Sequence, residues 1–147
     1  MSAENSSSND RAAKRRICFD ALPDGSAPFL RMHQLWEMTA TLPVKNVPVS
    51  GLSGLDEVLW FGGPLNLQPT CRAVAEHARD IYEADLAWPV ILSPSGELLD
   101  GMHRLCKAIL QGKTEIAAVQ LTSMPECRWR LLPDGSEVPM SASGSSA

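Results

Sequence analysis

The chain contains no run of eighteen apolar residues, so no helix that crosses a membrane is expected. It has no C-x-x-C pair and no histidine pair at zinc-finger spacing, so no sequence-encoded metal site is expected. Its four cysteines, Cys18, Cys71, Cys106 and Cys127, are scattered. The opening Met-Ser-Ala-Glu-Asn-Ser-Ser-Ser lacks the apolar stretch of a secretory signal. Without one, a disulfide framework is not expected, and the cysteines read as reduced structural thiols of a cytoplasmic protein. A surplus of positive charge is also missing. Net charge is −4, and between Arg31 and Pro125 seven Lys/Arg face ten Asp/Glu, which argues against strong non-specific DNA binding. Arg11, Lys14, Arg15 and Arg16 form a small basic cluster near the start. It reads as a solvated tail or, less simply, as a contact for nucleic acid.

What is present is enough apolar material for a core: 44% of 147 residues, in the range of one domain. Residues 1–28 read as a disordered N-terminal arm, 29–125 as the domain and 126–147 as a flexible C-terminal tail. A short string occurs twice, Leu22-Pro-Asp-Gly-Ser26 and Leu132-Pro-Asp-Gly-Ser136, either by coincidence or as paired turns. Within the domain, Phe29–Ala40 has the spacing of a helix ended by Leu42-Pro43. Val44–Ser50 reads as a strand, with Pro48 favouring an edge or a strand end. Leu52–Leu59 reads as a short helical turn, followed by the loop Trp60-Phe-Gly-Gly63 to Pro69. Thr70 can cap a helix over Cys71–Glu83, whose Val74, Ala78, Ile81 and Tyr82 form one apolar stripe. A hairpin over Trp88–Leu99 turns at Ser93-Pro-Ser-Gly96. A helix Arg104–Gln111 stops at Gly112, and Ile116–Leu121 is a last strand. The expected fold class is α+β, a small mixed sheet with helices packed on it.

Asp100-Gly101-Met102-His103-Arg104 joins that hairpin to that helix. A strand that turns at glycine into a helix points several backbone N–H groups one way. With the positive end of the helix dipole they favour an anion. A histidine and an arginine in the first turn make phosphate the anion of choice.

The stretch from Pro89 to Ala108, with Asp-Gly-Met-His-Arg at its centre, resembles the ParB/sulfiredoxin superfamily, whose mark is a strand, a glycine and a helix opening with His-Arg or Arg-Arg. Ile116–Leu121 resembles the strand that follows there, and Val47–Leu52 its opening strand. The resemblance implies nucleotide phosphates bound at the helix start, with ATP, ADP or CTP and Mg²⁺ as the cofactors. By position, Gly101, Met102, His103 and Arg104 would form the phosphate site, Gly101 by close backbone approach and Arg104 by its charged fork. The chain also departs from the family. Sulfiredoxins carry a catalytic cysteine between the glycine and the histidine, where this chain has Met102, so sulfinic-acid repair by that route is not expected. Met102 and His103 replace the Glu and Arg of ParB proteins. The stretch after Leu121 is too short for their helix-turn-helix domain, so partitioning of the usual kind is not expected either.

Each residue also has a plainer role. His103 either contacts phosphate and moves a proton, or makes a local hydrogen bond at the helix start. Arg104 either binds phosphate or pairs with Asp100 or Glu97. Asp100 is either an N-cap or a group that holds a metal or accepts a proton. If the domain is an enzyme, Asp100 and His103 are its candidate catalytic residues. Asp56 and Glu57 are surface acids or Mg²⁺ ligands. Trp60 and Phe61 are a lid over a base or a plug for the sheet edge. Gln68, Thr70 and Arg72 could add a second phosphate contact. His33 and His77 read as surface or core histidines, and Met102 as packing beneath the helix. The function expected is binding of a nucleotide or phosphorylated small molecule, with Mg²⁺-dependent phosphoryl transfer or hydrolysis as its catalytic form. A non-catalytic nucleotide sensor and a nucleic-acid-associated protein are the alternatives.

Overall fold

A computed structural model describes residues 15–140 of the chain. They are mixed α and β, with three α-helices and two four-stranded sheets among the described residues. The chain divides into two compact units. Among the described residues, one combines 15–38 with 125–140, and the other is 39–124.

In the first unit, β1 (Arg16–Cys18), β2 (Ala27–Arg31), β7 (Trp129–Leu131) and β8 (Glu137–Pro139) lie in that order, every neighbour antiparallel. These strands correct the expected arm and tail boundaries. The first helix is corrected too: α1 begins at Met32 and runs to Thr39, because Phe29 and Leu30 are spent on β2. Paired with Leu131, Arg130 and Trp129 on one side and with β1 on the other, β2 buries Ala27, Phe29 and Leu30 almost completely. Tertiary pairing there outweighs a helical spacing. Of the basic cluster, Arg11 and Lys14 lie outside the described residues, while Arg16 sits on β1 and pairs with Glu137 at 3.1 Å.

The repeated Leu-Pro-Asp-Gly-Ser strings are paired turns. In each, the first residue's N–H donates to the last residue's carbonyl, at 2.7 and 2.8 Å. The glycine N–H donates back to the first carbonyl, at 2.8 and 2.9 Å. Asp24 and Asp134 each accept from the N–H and hydroxyl of the serine two residues on. Gly25 and Gly135 have φ of 86° and 91°, conformations a side chain opposes. Ser93–Glu97 makes the same pair of backbone bonds around Gly96. One hairpin turn thus recurs three times, a tight turn closed by a left-handed glycine.

In the second unit the sheet order is β3 (Lys45–Pro48), β6 (Glu115–Gln120), β4 (Val90–Leu92), β5 (Leu98–Asp100). β6 runs parallel to β4 and antiparallel to β3. β3 lies at an edge with Pro48 at its end, where a missing N–H does no harm. A 3₁₀ turn over Val49–Gly51 follows it, and the segment expected to be a helical turn after Leu52 forms turns only. The core gathers Val90, Leu92, Leu105, Ala108, Ile116 and Ala118, all nearly or fully buried. Helix α2 (Cys71–Glu83) has the expected bounds and the expected cap, the Thr70 hydroxyl accepting from Ala73 N–H at 3.1 Å. Its stripe, however, is not core. No residue of α2 is buried, and Val74 and Tyr82 are exposed. Helix α3 (Met102–Leu110) buries Leu105 and Ala108 and starts two residues earlier than the spacing predicts.

Candidate functional site

The hinge between β5 and α3 is built by Gly101. Its φ is 112°, and a Cβ there would fall 2.5 Å from Cγ1 of Val90 and 2.9 Å from its Cβ. Only glycine fits, both for its backbone angle and for the fully buried strand beneath it. As the N-cap, Gly101 supplies no side chain to the helix start. The first helical bond runs from Leu105 N–H to its carbonyl at 2.8 Å. The strand-to-helix turn read from the sequence is therefore in place.

Arg104 is engaged in holding that turn. Its guanidinium donates to the carbonyls of Trp88 and Pro89, at 3.2 and 2.7 Å, and to Oδ2 of Asp100 at 3.0 Å. Asp100 is 6% exposed, and the Arg104 side chain is largely covered as well. Buried charges demand such pairing. Arg104 thus ties the entry of β4 to the exit of β5. Of the two expected roles for Arg104, the structure shows the pairing with Asp100. Asp100 is likewise a partner for Arg104 rather than an exposed proton acceptor. Met102 packs against the core, so its side chain is occupied in packing as well.

His103 meets a different neighbourhood. Its Nε2 lies 2.8 Å from Nδ1 of His77 and 3.9 Å from Oδ2 of Asp80. His77 and Asp80 stand three apart on α2, the spacing that places two side chains on one helix face. The two imidazoles lie side by side, their planes 23° apart. Trp60 stacks on both, with ring centres 4.3 Å from His77 and 4.5 Å from His103 and interplanar angles of 11° and 13°. Phe61 meets His77 edge-on at 5.6 Å. The glycine loop explains their placement. Gly62 and Leu67 exchange backbone bonds of 2.7 and 3.0 Å, so the chain reverses tightly just after Phe61. Trp60 and Phe61 are therefore the wall of a histidine pair.

His77, Asp80 and His103 place one ligand atom each within 4.8 Å of one another. Sequence spacing pointed to no metal site and left His77 in a bland role. The legible signal was His77-x-x-Asp80 on one helix face, and its meaning depends on His103 arriving from 26 residues away. Asp56 and Glu57 are exposed, and Gln68 bonds to Asn66, so neither group joins the cluster. Cys106, one turn into α3, is half-covered, and burial pushes its thiol up, which keeps it protonated near neutrality and disfavours a nucleophilic role. No family model, no curated protein and no solved structure matches this chain.

Proposed function

We propose that this chain binds a nucleotide or phosphorylated small molecule at the turn from β5 into α3. The supporting observation is that Gly101, held at a left-handed φ against Val90 of the buried strand β4, converts the partly buried strand β5 directly into a helix start next to His103. A helix start offers amide donors and positive potential, and an imidazole at its second residue can add a donor or relay a proton. Arg104 acts here by keeping the turn rigid through Asp100 and the Trp88 and Pro89 carbonyls. Mg²⁺, which prefers oxygen ligands, would arrive with the phosphates rather than on the imidazoles.

Thermal shift against inorganic phosphate, ATP, ADP, CTP and GTP, with and without Mg²⁺, tests the reading. A nucleotide should raise the Tm of the native chain, and His103→Gln should remove the rise while the apo protein still folds. No shift with any ligand, or an equal shift in His103→Gln, overturns it. Product formation over hours then separates a phosphoryl-transfer or hydrolytic enzyme from a nucleotide sensor.

A further inference from the structure

We infer that His77, Asp80 and His103 form a binding site for a divalent transition-metal ion of the Zn²⁺ class. Two neutral imidazoles and one carboxylate are donors suited to Zn²⁺, Co²⁺ or Fe²⁺, and poor ones for Mg²⁺ or Ca²⁺. The distances fit. In a tetrahedral zinc site with bonds near 2.0–2.1 Å, ligand atoms lie about 3.3 Å apart. The His77–His103 separation of 2.8 Å is slightly shorter and the His103–Asp80 separation of 3.9 Å slightly longer. The third separation, between His77 and Asp80, lies within 4.8 Å, so the ion's arrival would draw Asp80 inward and part the two imidazoles slightly.

Charge points the same way. An aspartate beside a histidine pair repels a bare anion and attracts a cation. The wall adds a second argument. Trp60 covers one face of both imidazoles and so fixes their planes together, with Nδ1 of His77 and Nε2 of His103 facing each other across a hydrogen bond that a metal ion would replace. Outer groups that orient ligating histidines are a regular part of metal sites. Three protein ligands leave a fourth position for water or a phosphate oxygen, the pattern of catalytic rather than structural zinc. The two residues of α2 and the one of α3 would then be joined through the ion. The inference rests on these three side chains and not on nucleotide binding, although both use His103.

The test is titration of the full chain with Zn²⁺ and Co²⁺ alone, without nucleotide, followed by calorimetry and visible absorption. One equivalent should bind. Co²⁺ should give tetrahedral d–d bands without the near-ultraviolet thiolate charge-transfer band that cysteine ligands produce, and should quench Trp60 emission. Loss of an outer-shell group already costs 10–100-fold in metal affinity, so losing a direct ligand should cost about 100-fold or more. His77→Gln and His103→Gln should show that loss. Asp80→Asn, at an exposed position where folding is not at stake, should also weaken binding. Absence of binding in the native chain, a thiolate spectrum, or unchanged affinity in all three variants overturns the site and leaves a plain imidazole–imidazole hydrogen bond. Asp80→Asn also separates the two readings, because it should weaken metal binding while a metal-free nucleotide shift persists.

Discussion

At Gly101 a single missing methyl group holds the hinge together. Gly101→Ala adds a Cβ at 2.5 Å from Val90 and imposes a left-handed backbone on alanine. Overpacking and the backbone penalty together should cost about 3 kcal/mol, read by urea unfolding. The Asp100–Arg104 clasp makes a second prediction. Arg104→Ala removes the ion pair of a nearly buried carboxylate and the donor to two carbonyls, at a cost of about 3 kcal/mol. Arg104→Lys should recover little, because one ammonium cannot span the three acceptors as a planar fork does. The same unfolding curves decide both. The cysteines give a third. Burial pushes the thiols of Cys106 and Cys127 up, so their thiolate fraction at neutral pH is small. Cys71 is exposed at the start of α2 and should alkylate first, with Cys106 and Cys127 lagging until the pH is raised; peptide mass mapping gives the order.

At the level of elements, α2 is the unusual member. Thirteen residues long and with none of them buried, it owes little to core packing and much to its ends. Thr70 caps one end. At the other, Lys107 of α3 donates from Nζ to the carbonyls of Tyr82 and Ala84, at 2.8 and 2.6 Å. A lysine there satisfies orphan carbonyls and meets the negative end of the helix dipole. Lys107→Met should loosen the last turn of α2 at a cost of about 1–2 kcal/mol, and amide exchange should rise over Tyr82 to Ala84 before it rises in the sheet. Cap and helix bounds were readable from residues 70–83, because Thr70 and the apolar spacing are local signals. The exposure of that spacing was not, because it depends on what packs against the helix.

Across the whole molecule, the first unit depends on strands from both ends of the chain. Asp24 is held below the usual carboxylate range by the hydroxyl and N–H of Ser26 and by Arg130, and Asp134 by the hydroxyl and N–H of Ser136. Both carboxyls are depressed in the folded state, so their contribution is complete above their unfolded values near 4 and is lost as pH falls through the folded ones. Amide exchange in β1, β2, β7 and β8 should therefore accelerate on acidification below about pH 4, more than in β4 and β6. The double change Asp24→Asn, Asp134→Asn should flatten that acid response. An unchanged response would mean that these turns do not set it.

Local chemistry announced the three Pro-containing turns, the Thr70 cap, the glycine hinge and the mixed α+β class, because each depends on residues within a few positions of one another. Pairing between distant segments was hidden. Ala27–Arg31 became strand by pairing with Arg16–Cys18 on one side and Trp129–Leu131 on the other, which put segments expected in the arm and the tail into one sheet. Arg104 had several possible partners in the linear text, and the nearness of the Trp88 and Pro89 carbonyls and of Asp100 selected among them. His77 and His103 share no sequence neighbourhood at all. They met because α2 and α3 pack together beneath Trp60, and contact across that distance is a property of the folded chain alone.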